Sequence, residues 1–358
     1  MRGADHLSHR LSLAKFILKL LFVFFFTGSD HKKVADMSYS SYIVICVLNG
    51  VLGCIAVVFN CLTIHAIRKI SSLSAGSQPA LPGSSALPIP LKILLLSMAV
   101  SDLGIGLLVQ PLTIAVYVLD IKGESTLTVL HESINPFCLI PASFFTYASF
   151  FSVTALTIDR FLALYLHLRY KELVTRKRIV SVVIFIWILS AVLSLVYRLR
   201  LIETADGFFI AMEVLCLVVN AAIYCKIHGV VRRHTKHLKT LQVQQETQRS
   251  DIANVAKIVR STISIFYVFV VFSICYIPCV TIHVASAAIR TESSGQDTWI
   301  EQVHPYTGIL LFLNSSLNPF IYCWKMRRIR FAIKSLILRP SVKENGQRRS
   351  QQEDYYLR

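Results

Sequence analysis

Four short polar signatures interrupt long apolar stretches of this chain. They are Ser101-Asp102-Leu103, Ile158-Asp159-Arg160-Phe161, Cys275-Tyr276-Ile277-Pro278 and Asn318-Pro319-Phe320-Ile321-Tyr322. Their residue types can hold a buried charge, form an ion pair at a membrane face, or bend a helix. A charge inside hydrocarbon is expensive, so an intramembrane Asp and an Arg at a membrane face are read as functional. Proline deletes one backbone hydrogen bond and kinks the helix that carries it. An intramembrane enzyme would need a nucleophile beside a base, or a metal pair at depth. No His-Glu-x-x-His, Gly-x-Ser-x-Gly or paired-Asp motif occurs, and no Cys/His cluster has zinc-site spacing, so catalysis is not implied.

The elements that must position these residues are apolar runs. Of 358 residues, 54% are hydrophobic and only 16% charged, against about a quarter charged in a typical soluble protein. A run of roughly 18 or more apolar residues reads as a spanning helix. Seven such runs are expected near Tyr42–Ile67, Ile93–Leu119, Asn135–Leu166, Ile179–Tyr197, Phe208–Val231, Ile258–Ala288 and Ile300–Trp324. The signatures fall on the second, third, sixth and seventh. Segments 68–91, 166–178, 226–260 and 325–358 hold 25 Lys and Arg, while the opposing loops 120–134, 197–209 and 288–301 hold 4. That bias puts the amino terminus outside and the carboxyl tail in the cytoplasm. Placement on one membrane face, not nucleic-acid binding, accounts for the net charge of +17. It favours anionic lipid and an acidic cytoplasmic partner.

The expected organisation is an extracellular segment over 1–41, a membrane domain over 42–338 and a cytoplasmic tail over 339–358. Residues 1–29 have the outline of a weak secretory signal, with Arg2 and Arg10 before an apolar Phe16–Phe26 core. Lys15 and Lys19 interrupt that core, so an uncleaved tail or a gene-model artefact is the other reading. Ser71–Pro90 has linker composition. After Trp324, Ile329, Ala332, Ile333, Leu336 and Ile337 fall near one face of a short amphipathic helix along the inner membrane surface. All nine cysteines lie in or beside apolar spans, and buried thiols packing as small hydrophobes are expected.

On these residues the chain resembles a rhodopsin-like (class A) G-protein-coupled receptor, over about residues 42–338. The resemblance implies an all-α membrane protein, a seven-transmembrane helix bundle with a short amphipathic cytoplasmic helix. It implies a polar core of Asn60, Asp102, Asn318 and Pro319, and a sodium pocket completed by Ser149 and Asn314. A carboxylate ringed by neutral oxygens suits a hard monovalent cation; a water-filled polar knot without sodium is the alternative. Asp159-Arg160-Phe161 is similar to the family's Asp-Arg-Tyr switch, with Phe in place of Tyr. The acid that often latches the arginine from the base of span six is missing, since Lys257 and Ile258 stand there. Cys275-Tyr276-Ile277-Pro278 resembles the Cys-Trp-x-Pro hinge, Pro319 and Tyr322 do the same for span seven, and Tyr224 matches a span-five tyrosine facing the inner cavity. Trp187 fits the span-four tryptophan, as a packing residue.

The departures are as informative. Asn135 stands where the family has its outer span-three Cys, Cys138 sits three residues deeper, and Cys216 replaces the span-five proline. With a short second outer loop, these losses resemble the melanocortin side of the adenosine/melanocortin/cannabinoid branch. Yet Leu112, Asn135 and Leu139 replace the acids that melanocortin receptors use. The amine-binding Asp falls on Ala142, the adenosine-receptor span-six Asn on His283, and the retinal Lys on Gly308. The pocket outlined by the resemblance has Ala142, Ser143, Thr146 and Tyr147 on span three and Tyr276, Cys279, Val280 and His283 on span six. His304 and Phe312 complete it from span seven. It is mostly apolar, which fits a small neutral or lipid-like ligand, or a short peptide. The two histidines either contact ligand or cap helix ends near water.

The expected function is transmission of an extracellular signal across the plasma membrane to a heterotrimeric G protein. Arrestin and membrane lipid are further partners, and no cofactor is expected apart from the sodium ion. A non-signalling decoy receptor is the nearest rival, which intact Arg160 and Tyr322 weigh against. A transporter or channel would show an inverted repeat with broken helices in matching halves, whereas Pro278 and Pro319 lie in adjacent spans.

Overall fold

The computed structural model describes residues 39–75, 87–122, 125–166, 169–198, 205–241, 249–292 and 298–326, with residues 329, 330, 332, 333 and 336 of the tail. No strand occurs among them. Hydrocarbon offers no partner for backbone N–H and C=O groups, so each crossing segment closes its own hydrogen bonds as a helix. Seven long helices result. They are α1 (Tyr39–Ala75), α2 (Ile89–Gly104, a π turn at Ile105–Val109, then Gln110–Lys122), α3 (Ser125–Tyr165) and α4 (Arg176–Arg198). After these come α5 (Ala205–Leu241), α6 (Arg249–Glu292) and α7 (Thr298–Lys325). A single helical turn, Tyr170–Leu173, lies between α3 and α4.

Every helix outruns the apolar segment that announced it. Apolar composition marks where hydrocarbon begins, but helical hydrogen bonding continues into water where polar residues allow it. The largest differences are at α3, which begins at Ser125 where Asn135 was expected, and at α5, which ends at Leu241 where Val231 was expected. The presumed linker ends earlier than Pro90: α2 starts at Ile89 with Pro90 in its first turn, where a missing N–H costs nothing. α5 and α6 extend well into the connection between them. The π turn of α2 lies just before Pro111, whose missing donor already loosens the ladder there.

α3 is the central post, packed against α2, α4, α5 and α6, while α7 packs on α1 and α6. The inner-half core joins Leu94 and Met98 of α2, Phe150 and Leu156 of α3, Ile265 and Phe272 of α6, and Tyr322 of α7. Ile329, Ala332 and Ile333 of the tail are buried in the same cluster, with Leu336 packed on it. Ile337 lies outside the described residues. The outer surface is apolar instead of charged: Val47, Val51 and Val58 of α1, Phe185 and Ile188 of α4, and Leu215 and Val218 of α5 all stand exposed. That inversion suits lipid as the surrounding solvent. Six of the described helices are long and apolar enough to cross a membrane. α7 is not among them, because Asn314, Ser315, Ser316 and Asn318 interrupt it, all buried.

α2 and α3 approach closely at Gly104, where an added Cβ would lie 2.3 Å from the Phe145 ring. That ring cannot retreat freely, because it packs edge-on against Phe144 and Trp187. Gly104→Ala should therefore destabilise the bundle by about 1–3 kcal/mol. Gly308→Ala, with nothing within 4 Å of the new methyl, should be neutral or stabilising. Thermal unfolding of the two detergent-solubilised variants, compared with wild type, checks the pair.

Candidate functional site: a buried polar core and an arginine switch

Asp102, on α2 one turn before the π segment, is fully buried. Its Oδ2 accepts from Asn318 Nδ2 of α7 at 2.8 Å, and its Oδ1 from Ser149 Oγ of α3 at 3.3 Å. Three helices thus meet on one carboxylate. Asn60 does not bond the carboxylate; it ties α1 to α7 by donating to the Ser315 carbonyl at 3.1 Å, as well as to Ala56 of its own helix. The Ser315 hydroxyl lies beside the Asp102 carboxylate as well. Asn314 Oδ1 and Asn318 Oδ1 are buried with no hydrogen-bond partner. One turn further in, the Tyr322 hydroxyl donates to Met98 Sδ at 3.0 Å, fastening α7 to α2.

At the inner end of α3, Arg160 is only 2% exposed and pairs with Asp159, donating from Nε at 2.9 Å and also from Nη2. The second oxygen of Asp159 accepts from the Tyr170 hydroxyl at 2.6 Å. Burial, with the Asp159 charge beside it, pushes the Tyr170 phenol above its ordinary value, so it stays protonated and donates. Phe161 stacks on Tyr165 instead of joining this network. Tyr224 of α5 receives a 3.4 Å hydrogen bond from Thr157 of α3 and stacks on Phe269 of α6. Tyr276 stacks on Phe272, one turn from Pro278, and donates to the Thr146 carbonyl at 3.4 Å, tying α6 to α3.

Towards the end of the bundle opposite Arg160, the anticipated pocket residues divide. Phe312 packs with Ala142, Ile105 and Val109 on one side. Tyr147 turns to α4 and α5, against Leu193, Val196 and Met212. Ser143 also faces α4, 3.0 Å from Ser194 Oγ. Val280 is buried, and the His283 and His304 rings lie 6.0 Å apart. Cys279 Sγ lies 3.7 Å from His283 Nε2, and Glu213 Oε2 of α5 lies 3.5 Å from His283 Nδ1.

Sequence reasoning missed four of these participants. Glu213 was visible as a lone acid in an apolar run, the same signal that marked Asp102. Ser315 and Met98 carried no signal, being ordinary residues of apolar helices. Tyr170 lies eleven residues from its partner on another element. Trp187 was expected only to pack; it also donates to Ser97 Oγ at 3.0 Å.

The family described as 7 transmembrane receptor (rhodopsin family) matches residues 84–322, more than half of the chain. The chain belongs to that family. It is thus a multi-pass rhodopsin-family receptor, of the class that signals through G proteins. Among known proteins it is similar to adenosine receptor A2b of Bos taurus, 26% identical over 291 residues, covering 72% of this chain and 82% of the relative. It is also similar to adenosine receptor A2b of Canis lupus familiaris, 34% identical over 107 residues and 30% of each chain. With that of Gallus gallus the identity is 36% over 104 residues, 28% of this chain and 27% of the relative. The shorter matches span under a third of those relatives. Adenosine receptors fall within the branch that the sequence pattern pointed to.

The oxygens beside Asp102 fit a hard monovalent cation: one carboxylate, the Ser149 and Ser315 hydroxyls, and the buried Asn318 Oδ1 that has no hydrogen-bond partner, with the unpartnered Asn314 Oδ1 one turn away on α7. Asp102→Asn keeps the shape and removes the charge. Wild-type receptor moved from N-methylglucamine chloride to sodium chloride should gain roughly 2–4 °C in melting temperature, and the variant should gain nothing. Equal gains would reject a sodium ion at Asp102.

Proposed function

We propose that this rhodopsin-family receptor sits in the plasma membrane, amino terminus outside, and couples an extracellular ligand to a heterotrimeric G protein through Arg160. The observation that carries the proposal is the arginine itself. A guanidinium is always charged, and here it lies almost wholly buried at the inner end of α3, held by Asp159. No Asp or Glu occurs between residues 252 and 291 of α6, so no acid on that stretch competes for it. Movement of α6 about Pro278 would uncover Arg160 for the carboxyl end of a G-protein α subunit. Tyr170 would keep Asp159 hydrogen-bonded when the arginine leaves.

The ligand site we propose lies among the outer halves of α3, α5, α6 and α7, with Tyr276 at its floor and His283 and His304 at its mouth. Ala142, Thr146, Val280 and Phe312 give it apolar walls, so a small neutral or lipid-like ligand or a short peptide fits. The adenosine-receptor relatives make nucleosides the first compounds to test. Sodium at Asp102 would favour the resting state, and arrestin and inner-leaflet anionic lipid are the further partners of the basic cytoplasmic face. The receptor domain runs over 42–338 in this reading, with the tail beyond it.

Arg160→Ala tests the proposal. Alanine leaves the buried Asp159 with Tyr170 as a hydrogen-bond partner, and because removing one member of a buried ion pair costs stability, surface expression is measured alongside signalling. Nucleotide exchange on a panel of purified G proteins, normalised to surface receptor, should fall to background. Undiminished exchange beside a signalling wild type would remove Arg160 from its assigned role.

A further inference from the structure

α6 carries no acid between residues 252 and 291 to latch Arg160, so the inner half of that helix is held in its resting place by other contacts. The described contacts between the inner parts of α6 and α7 include one charged group. Lys325, the last residue of α7, places its Nζ 3.8 Å from the centroid of the Tyr267 ring of α6. The same ammonium lies 3.4 Å from the Trp324 ring, and the Tyr267 and Trp324 centroids are 5.8 Å apart. A cation is thus held between two aromatic rings that belong to different helices. The electron-rich face of each ring attracts the charge, and the attraction strengthens where water is partly excluded. Tyr267 is half-buried, and Trp324 is 45% exposed on the lipid-facing side.

We propose that Tyr267, Lys325 and Trp324 form a cation–π clasp that restrains α6 in the resting receptor and takes the place of the missing ionic latch. The proposal rests on the reading of Pro278 as the hinge of α6. Tyr267 lies eleven residues inward of Pro278, about 16 Å along the helix axis. A change of about 20° at a proline kink would carry its ring by roughly 6 Å. Cation–π attraction requires the charge within about 6 Å of the ring centroid. Starting from 3.8 Å, an outward swing therefore breaks the contact with Tyr267. Trp324 stays with Lys325, because both belong to α7. The clasp therefore contributes to the resting state alone, and an interaction made in only one of two states shifts the balance between them.

The test uses the full chain in lipid nanodiscs without ligand. One readout is nucleotide exchange on the G-protein panel. The other is an environment-sensitive fluorescent amino acid at lipid-facing Ile263 near the inner end of α6, read without G protein. Lys325→Gln and Tyr267→Leu should each raise ligand-free exchange roughly threefold to tenfold and shift the fluorescence in the same direction. Lys325→Arg and Tyr267→Phe keep a cation and an aromatic face, and should match wild type. The double variant Lys325→Gln/Tyr267→Leu should do no more than either single change, because both remove one contact. A fluorescence shift with flat exchange would uphold the clasp while refuting the coupling reading. Unchanged fluorescence in both loss variants would overturn the clasp, as would a Tyr267→Phe variant behaving like Tyr267→Leu, or additive single effects.

Discussion

A carboxylate taken out of water must find hydrogen bonds or opposite charge, and much of this bundle is arranged around two that have done so. Asp102 draws Asn318 from α7 and Ser149 from α3 onto α2. Asp159 holds Arg160 on its own helix and Tyr170 on the following turn. These demands explain why α7, alone of the long helices, is too polar to pass as a membrane span by composition. Its Asn and Ser residues face the bundle, not the lipid, and there Asn318 donates to Asp102 and Ser316 to the Leu52 carbonyl of α1.

Asp102 lies on a continuous packed path. Tyr276 bonds the α3 backbone at Thr146 and stacks on Phe272, which packs on Phe150 of α3. Phe150 neighbours Ser149, the α3 ligand of Asp102. Asn318 and Tyr322 then continue inward along α7, one turn apart, to Met98 and the inner core. A change at the outer face of Tyr276 would be felt by residues whose other contacts define the inner half. Such packing is a route for coupling only if it has two arrangements; in the proposed function, Pro278 of α6 and Pro319 of α7 would supply the freedom for a second one.

The architecture was legible because lipid imposes so few solutions. Long apolar runs, a Lys and Arg bias and four signatures were enough to place seven helices, and each described helix contains or overlaps its expected span. The start of α3 was not legible, since Ser125 lies in polar sequence that continues a helix for backbone reasons alone. Arg160 and Asp159 were legible because they are adjacent in the chain. Tyr170 was not, because nothing in one sequence shows which loop tyrosine folds back. Glu213 could have been found by the rule that identified Asp102, but the family resemblance drew attention to other positions. Ser143, which the family resemblance placed with the pocket residues, has its hydroxyl 3.0 Å from Ser194 of α4. Spacing along a helix fixes a face to within about 100°, the width of the apolar stripe, which is too coarse to choose between two neighbouring helices.

The central claim is that this bundle opens at its inner face to admit a G-protein α subunit beside Arg160. The most direct measurement is the distance between spin labels at the inner ends of α4 and α6, with the receptor in nanodiscs. Synthetic peptides matching the carboxyl ends of the Gα families would be titrated in turn. The account predicts that at least one peptide lengthens the α4–α6 distance by several ångströms, roughly the arm swept by a 20° kink change, and that the lengthening saturates. An α4–α6 distance that no peptide alters, in receptor that remains folded, would contradict it.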